Sequence, residues 1–229
     1  MKKVLLILMS FVLLMSFAGC GGDDNATVNG LSVSVGNIIK FGKYEQDEDS
    51  VNGKEDIEWM VLDVQDGKAL VISQYGIICH AYNDQNRPVT WETCTLRSWL
   101  NTTFISEAFS DTEKNSIVTT NVVAEDNVEK GIDGGNDTED KIFLLSASEV
   151  EKYFSESESS RQSTTTAYAR RQGASYKNYD GYSAWLLRVP GEDSSHVSYV
   201  SGSGTVSEYG EWVDSHNIPV RPAMWIELD

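Results

Sequence analysis

Two cysteines, Cys79 and Cys94, with His80 directly after the first, are the side chains of this sequence best suited to nucleophilic chemistry. A thiol attacks as its thiolate, which needs a base or a cation within hydrogen-bond reach. On an extended strand adjacent side chains point to opposite faces, so Cys79 and His80 do not make a nucleophile and its base. His80, His196 and His216 lack the clustered spacing of a zinc site, and no H-E-x-x-H helix is present. No Ser-x-x-Lys, G-x-S-x-G, Walker A or Rossmann glycine pattern stands out. Hydrolase and nucleotide-binding readings therefore lack support, and no catalytic residue is assigned.

Binding chemistry has more to work with. The run from Asp133 to Asp140 sets oxygen ligands beside two glycines, which makes Asp133, Asn136, Asp137 and Asp140 candidate ligands for calcium, although the run does not match an EF-hand loop. A solvated acidic loop is the plainer reading. Glu45, Asp47 and Asp49, alternating on a strand and its exit, carry the same two readings. Tyr168, Tyr176, Tyr179, Tyr182 and Trp185 are interleaved with Asn178 and Asp180. Such a mixture stacks on sugar rings or peptide side chains while hydrogen-bonding their polar edges. Tyr176, Asn178, Tyr179, Asp180, Tyr182 and Trp185 are thus the candidate ligand-binding residues, and the competing reading is that the aromatics fill a loop-rich core. Arg97, Arg188 and Arg221 are expected to be buried and paired with carboxylates, because a guanidinium needs forked acceptors when it leaves water.

The N-terminus reads as an export signal, which would place this chemistry outside the cytoplasm. Met1-Lys2-Lys3 is basic, Val4 to Ala18 carries no charge, and Gly19-Cys20 follows, the order of an export signal. The apolar run is shorter than the roughly 20 residues of a spanning helix. Phe17-Ala18-Gly19-Cys20 resembles a bacterial lipobox, which implies a diacylglycerol on Cys20 and cleavage ahead of it; Phe17 departs from the usual small aliphatic residue. Residues 1–19 are then a signal peptide, 20–31 the lipidated cysteine and a polar tether, and 32–229 one globular domain. Cleavage would leave 210 of the 229 residues, enough for one domain with a proper core. The removed segment holds two lysines and no acid, so the net charge moves from −17 to −19. That surface repels nucleic acid and anionic headgroups. With Cys20 set aside, Cys79 and Cys94 form an exported pair for which disulfide and free thiols are equally open.

The elements that must position these residues are short. Asn37 to Gln46 and Ile57 to Val64 read as strands, and Asp66-Gly67 signals a hairpin into Ala69 to Ser73. Apolar residues on both faces of Ile57 to Leu62 place that strand inside a sheet. Leu96, Trp99, Leu100 and Phe104 have helical spacing with Thr93 or Thr95 as cap, and Ser110 to Glu113 and Ser146 to Glu149 fit capping boxes. Ile117 to Val123 and Ile142 to Leu145 read as strands, and Thr166 to Gln172 as a helix ending at Gly173. Strands return at Ala184 to Val189, His196 to Val200 and Val220 to Leu228, with turns at Pro190-Gly191 and Gly202 to Gly204. The order is not a regular β-α alternation, so the fold class is α+β: a small mixed or antiparallel twisted sheet with short helices at its side.

Six segments together resemble one family, the uncharacterised bacterial domain of unknown function 6273: Ile39 to Asp47, Ile57 to Asp63, Thr90 to Asn101, Asp140 to Glu149, Trp185 to Gly191 and Val220 to Leu228. The resemblance runs from about Val35 to the C-terminus and implies a fold but no activity. The Arg221-Pro222-Ala223 ending and the Trp185-Leu186-Leu187-Arg188 strand are also similar to the end of C-type-lectin-like domains, which implies that the N- and C-terminal strands lie together in one twisted sheet. Formylglycine-generating enzymes of that group use a late cysteine pair; no cysteine follows Cys94 here, so that activity is not carried over. The leading expectation is a non-catalytic, surface-displayed recognition domain for a glycan, a peptide or an envelope protein, anchored by lipid on Cys20. An envelope enzyme or enzyme accessory with a dispersed site, and a structural lipoprotein, are the alternatives.

Overall fold

The structure is a computed structural model, and it describes residues 27–28, 31–49, 51–154, 157–175 and 180–229. Cys20 and its flanking residues therefore lie outside the described residues. The fold is α+β. Its main sheet has four antiparallel strands in the order Ala223–Glu227, Lys68–Ser73, Glu55–Gln65 and Ile38–Tyr44. Asp66 and Gly67, both with positive φ (51° and 70°), make the tight turn between the second and third of these, where glycine relieves the strain that a Cβ would bring. The Glu55–Gln65 strand is flanked on both sides, as its two apolar faces predict. The N-terminal and closing strands share this sheet but sit at its opposite ends rather than beside each other.

The closing strand is core all the same. Its free side is covered by Phe143, which exchanges two backbone hydrogen bonds with Ala223 (2.9 and 2.8 Å), and by Val118, whose N–H donates to Trp225 O at 2.9 Å. The Val220 to Leu228 run is broken into Pro219–Val220 and Ala223–Glu227, because Pro222 has no N–H to give the ladder. Ile142 to Leu145 is buried as expected, yet it forms only the single bridge through Phe143 before Ser146 caps the next helix. Ile117 to Val123 likewise shrinks to Thr120–Val122, paired with Thr138–Asp140.

Helices pack at the side of the sheet. Thr95–Trp99, Leu100–Phe104 and Ile105–Ala108 follow without a break, the middle stretch being π-helical. Leu96, Leu100 and Phe104 enter the core. The cap is Cys94, whose Sγ accepts from Arg97 N; Thr95 is used instead to hold Asp84, accepting from its N–H at 3.0 Å. Both serine capping boxes form, and Thr166 caps Ala167–Arg171 ahead of Gly173. One core cluster runs from Val33 to Ile226. Among the described residues no helix is long and apolar enough to cross a membrane.

Candidate functional site

Among the described residues, a second sheet of three antiparallel strands carries the most exposed aromatic side chains. Trp185–Pro190 pairs with His196–Val200, which pairs with Val206–Trp212. The last strand was not legible in the sequence: Val-Ser-Glu-Tyr-Gly-Glu-Trp has neither alternation nor an apolar run. Its backbone explains why. Between the Val197↔Glu211 and Tyr199↔Ser207 pairs, three residues face one, and Gly210 takes φ +81° in the bulge. A Cβ on Gly210 would lie 2.7 Å from Val197 O, so only glycine fits.

The bulge is held from outside by Asn127, which is 3 % exposed. Its Nδ2 donates to Pro190 O (3.1 Å), Gly191 O (2.9 Å) and Glu208 O (2.9 Å), while its Oδ1 accepts from Lys130 N (3.1 Å). Glu192 N donates to Tyr209 O at 2.8 Å. Backbone acceptors that an irregular strand would leave to water are thus taken up, and the strand becomes a fixed mount for two side chains. Those are Tyr209 and Trp212, 63 % and 47 % exposed.

Each ring has company. Trp212 is paired in register with His196, which puts their side chains on one face, and the two ring centroids are 3.9 Å apart. His196 Nδ1 lies 2.9 Å from Asp193 Oδ1, and Glu192 approaches Nε2 at 3.9 Å. Ser195 Oγ donates to Asp193 Oδ1 at 2.7 Å; this bond, followed by the His196 contact, lowers the Asp193 carboxyl to about 2. Ser195 thus faces Asp193 and not an imidazole, so the trio is a turn lock and not a nucleophile with its base. At the other ring, Lys130 Nζ sits 3.9 Å from the Tyr209 centroid and 2.6 Å from Glu129 Oε1. Beside it lies a surface hollow of about 390 Å³ lined by Tyr199, Val206, Glu208 and Tyr209 among others.

The structure redistributes the residues singled out from sequence. Tyr176, Asn178 and Tyr179 lie outside the described residues. Trp185 is 0 % exposed: it donates from Nε1 to Arg161 O at 3.0 Å and packs on Phe154, so it is core and not a ligand platform. Tyr182 is half-buried, and Asp180 holds a left-handed turn at φ 52°. Arg97 and Arg188 are paired as expected, with Asp140 at 2.7 Å and Glu149 at 2.5 Å. Arg221 is not. It lies 4.8 Å from the Trp185 ring centre, donates from Nε to Ser73 O, and has no partner for Nη1 among the described residues. Burial lowers its pKa to about 9, which leaves it cationic at neutral pH.

The proposed calcium ligands are not gathered. Asp133 accepts from Gly135 N, Asn136 donates to Glu92, Asp137 accepts from Ala124 N and Asn121, and Asp140 is buried on Arg97, Trp91 and Thr138. The acids that do converge among the described residues are Glu45, Asp47 and Glu55, with oxygens within 4.8 Å. Two of them are occupied locally: Asp47 by Asn52 and Asp49 N, Glu55 by Gln46 N. Partial burial and then repulsion from Glu55 raise the Glu45 carboxyl. Asp49 is not a member and accepts from Val51 N.

Cys79 and Cys94 are two separate buried thiols, not a disulfide. Cys94 belongs to the main core, while Cys79 sits in a small cluster with Ala169 and Ala174. Burial pushes both up to about 12, which removes any thiolate at neutral pH. His80 packs on Trp99 with ring centroids 4.8 Å apart. Tyr209 and Trp212 were missed, and the one signal for them was two aromatics set among carboxylates in an otherwise polar stretch.

No curated protein and no solved structure matches the chain. A family model, described as a domain of unknown function (DUF6273), matches residues 66–228, so the first two of the six resembling segments fall ahead of the matched stretch. With that match covering most of its length, the chain belongs to the DUF6273 family.

Proposed function

We propose that this chain is a non-catalytic recognition domain, held to the outer side of a membrane by lipid on Cys20, that binds a glycan, a peptide or an envelope protein through the exposed aromatics of its late hairpin. One observation carries the reading: Tyr209 and Trp212 stand exposed on a strand whose bulged backbone is pinned by Asn127. Large aromatic rings on a rigid mount supply contact area at little entropic cost, which is the physical basis of most recognition hot spots. The lectin-like resemblance of the Trp185 and Arg221 segments fits such a role, although fold alone does not assign function.

The test is a binding screen of the full chain against cell-wall fragments, oligosaccharides and peptides, repeated with Tyr209→Ala and Trp212→Ala. Saturable binding lost in either variant supports the reading, and equal binding by all three proteins overturns it. For the anchor, a Cys20→Ala variant moves to the soluble exported fraction; retention in the membrane would rule lipidation out.

A further inference from the structure

The chemistry around the two exposed rings selects for positive charge. Glu129-Lys130, Glu192 to His196 and Val206–Trp212 carry Glu129, Glu192, Asp193, Glu208 and Glu211 against one lysine. That lysine is already seated. Lys130 Nζ is over the Tyr209 ring at 3.9 Å with the Glu129 carboxylate at 2.6 Å, the two contacts that hold a cation on an aromatic face.

Trp212 offers a similar seat. One side of its indole is covered by His196, the residue is 47 % exposed, and no lysine or arginine lies over it among the described residues. Two carboxylates reach the stacked imidazole: Glu192 Oε1 lies 3.9 Å from His196 Nε2 and Asp193 Oδ1 lies 2.9 Å from Nδ1, which puts both on the His196 side of the indole. The Asp193 carboxyl, held low by Ser195, stays ionised throughout the physiological range. A neutral sugar can donate hydroxyls to these carboxylates but brings no charge to offset theirs. A guanidinium uses both, stacking flat on indole while pairing with carboxylates.

We propose that Trp212, with Glu192 and Asp193 beside the stacked His196, forms a docking site for an arginine-bearing segment of a protein partner. The site rests on the recognition reading above and names its ligand class. An indole paired with ionised acids attracts such a segment from a distance and then orients it at contact. Anionic lipid and nucleic acid are repelled by the same charges.

The experiment uses the full chain at physiological salt and follows tryptophan fluorescence and calorimetric heat. The probes are a flexible Gly-Ser peptide carrying two arginines, the same peptide with lysines, the same with glutamines, and a neutral chitin oligosaccharide. The arginine peptide is expected to bind at least tenfold more tightly than the glutamine peptide. That preference should fall at least fivefold in Trp212→Ala and in Glu192→Gln/Asp193→Asn. It should be unchanged in Glu48→Gln/Asp66→Asn, which removes the same charge elsewhere. Equal weakening by the remote pair would reduce the effect to net charge and overturn the site. Trp212-dependent binding of the oligosaccharide with no arginine preference would overturn the cationic class and leave the recognition reading standing. No Trp212-dependent binding of any probe overturns the docking site, whereas the recognition reading falls on equal binding by the wild-type, Tyr209→Ala and Trp212→Ala proteins in the broader screen. Trp212 is exposed, so its variant is expected to keep the wild-type circular dichroism spectrum and melting temperature, which separates lost binding from lost fold.

Discussion

Arg97 Nε donates to both oxygens of Asp140, at 2.7 and 3.0 Å, and this bond joins the first long helix to the end of the acidic loop. Asp140 is the fourth of the expected calcium ligands, and it is instead the most occupied carboxylate of its loop: Trp91 Nε1 and Thr138 Oγ1 donate to it as well. With 1 % of its side chain exposed, Asp140 is tolerated only because the guanidinium is there.

Removing that acid leaves Arg97 without its counter-charge and two buried donors without an acceptor. Asp140→Ala is expected to destabilise the domain by roughly 3 kcal/mol. Urea unfolding followed by fluorescence would measure it, and calcium added in excess should leave the midpoint of the wild-type protein in place. A calcium-dependent rise of that midpoint would restore the loop as a metal site.

Asn127 should matter for binding without touching the ligand. Asn127→Ala removes the donors to Pro190, Gly191 and Glu208 at once and is expected to cost about 2 kcal/mol. Gly210→Ala forces a Cβ against Val197 O at a left-handed φ and should cost about 1–3 kcal/mol. Both variants should shift the amide resonances of residues 206–212 while leaving those of the Glu55–Gln65 strand in place. Unchanged spectra across the late hairpin would show that the bulge needs neither residue.

The two core thiols have an equally direct check. With both raised to about 12 by burial and neither bonded to the other, Cys79 and Cys94 should resist iodoacetamide in the native protein at pH 8. Both should alkylate in denaturant without any reductant. Peptide mapping that required a reductant first would reveal a bridge.

Asp193 supplies a pH signature. Its folded value of about 2 lies below the ordinary 3.8, so the carboxylate's contribution is complete above about 4 and is lost as pH falls through 2. Carboxyl carbon shifts should place the midpoint near 2, and Ser195→Ala should move it up toward 3.8. A wild-type midpoint near 4 would mean that the Ser195 and His196 contacts are absent in solution. The residue is largely solvent-facing, so the effect on global stability should be small.

Local rules were enough for much of this fold. Asp66-Gly67 dictates its turn because few other dipeptides accept two positive φ angles. Ser110 with Glu113, and Ser146 with Glu149, cap their helices through atoms only three residues apart. The two-sided apolar Ile57 to Leu62 run requires a strand with neighbours on both sides. In each case the partners are close in the chain, so their chemistry is written in the order of residues.

What the order of residues did not contain is which distant groups meet. Trp185 reads like a ligand platform among tyrosines, yet long-range packing on Phe154 and Arg221 buries it completely. Asp140 reads like a metal ligand until Arg97, 43 residues away, takes its charge. Tyr209 and Trp212 are mounted by a bulge that destroys period-two alternation and by an asparagine 81 residues from the carbonyl it holds. Sequence determined the Asp66-Gly67 turn, the serine caps and the α+β class because those depend on neighbours; only tertiary structure decided which aromatics stay in water and which carboxylates are paired, because exposure and pairing belong to the packed chain as a whole.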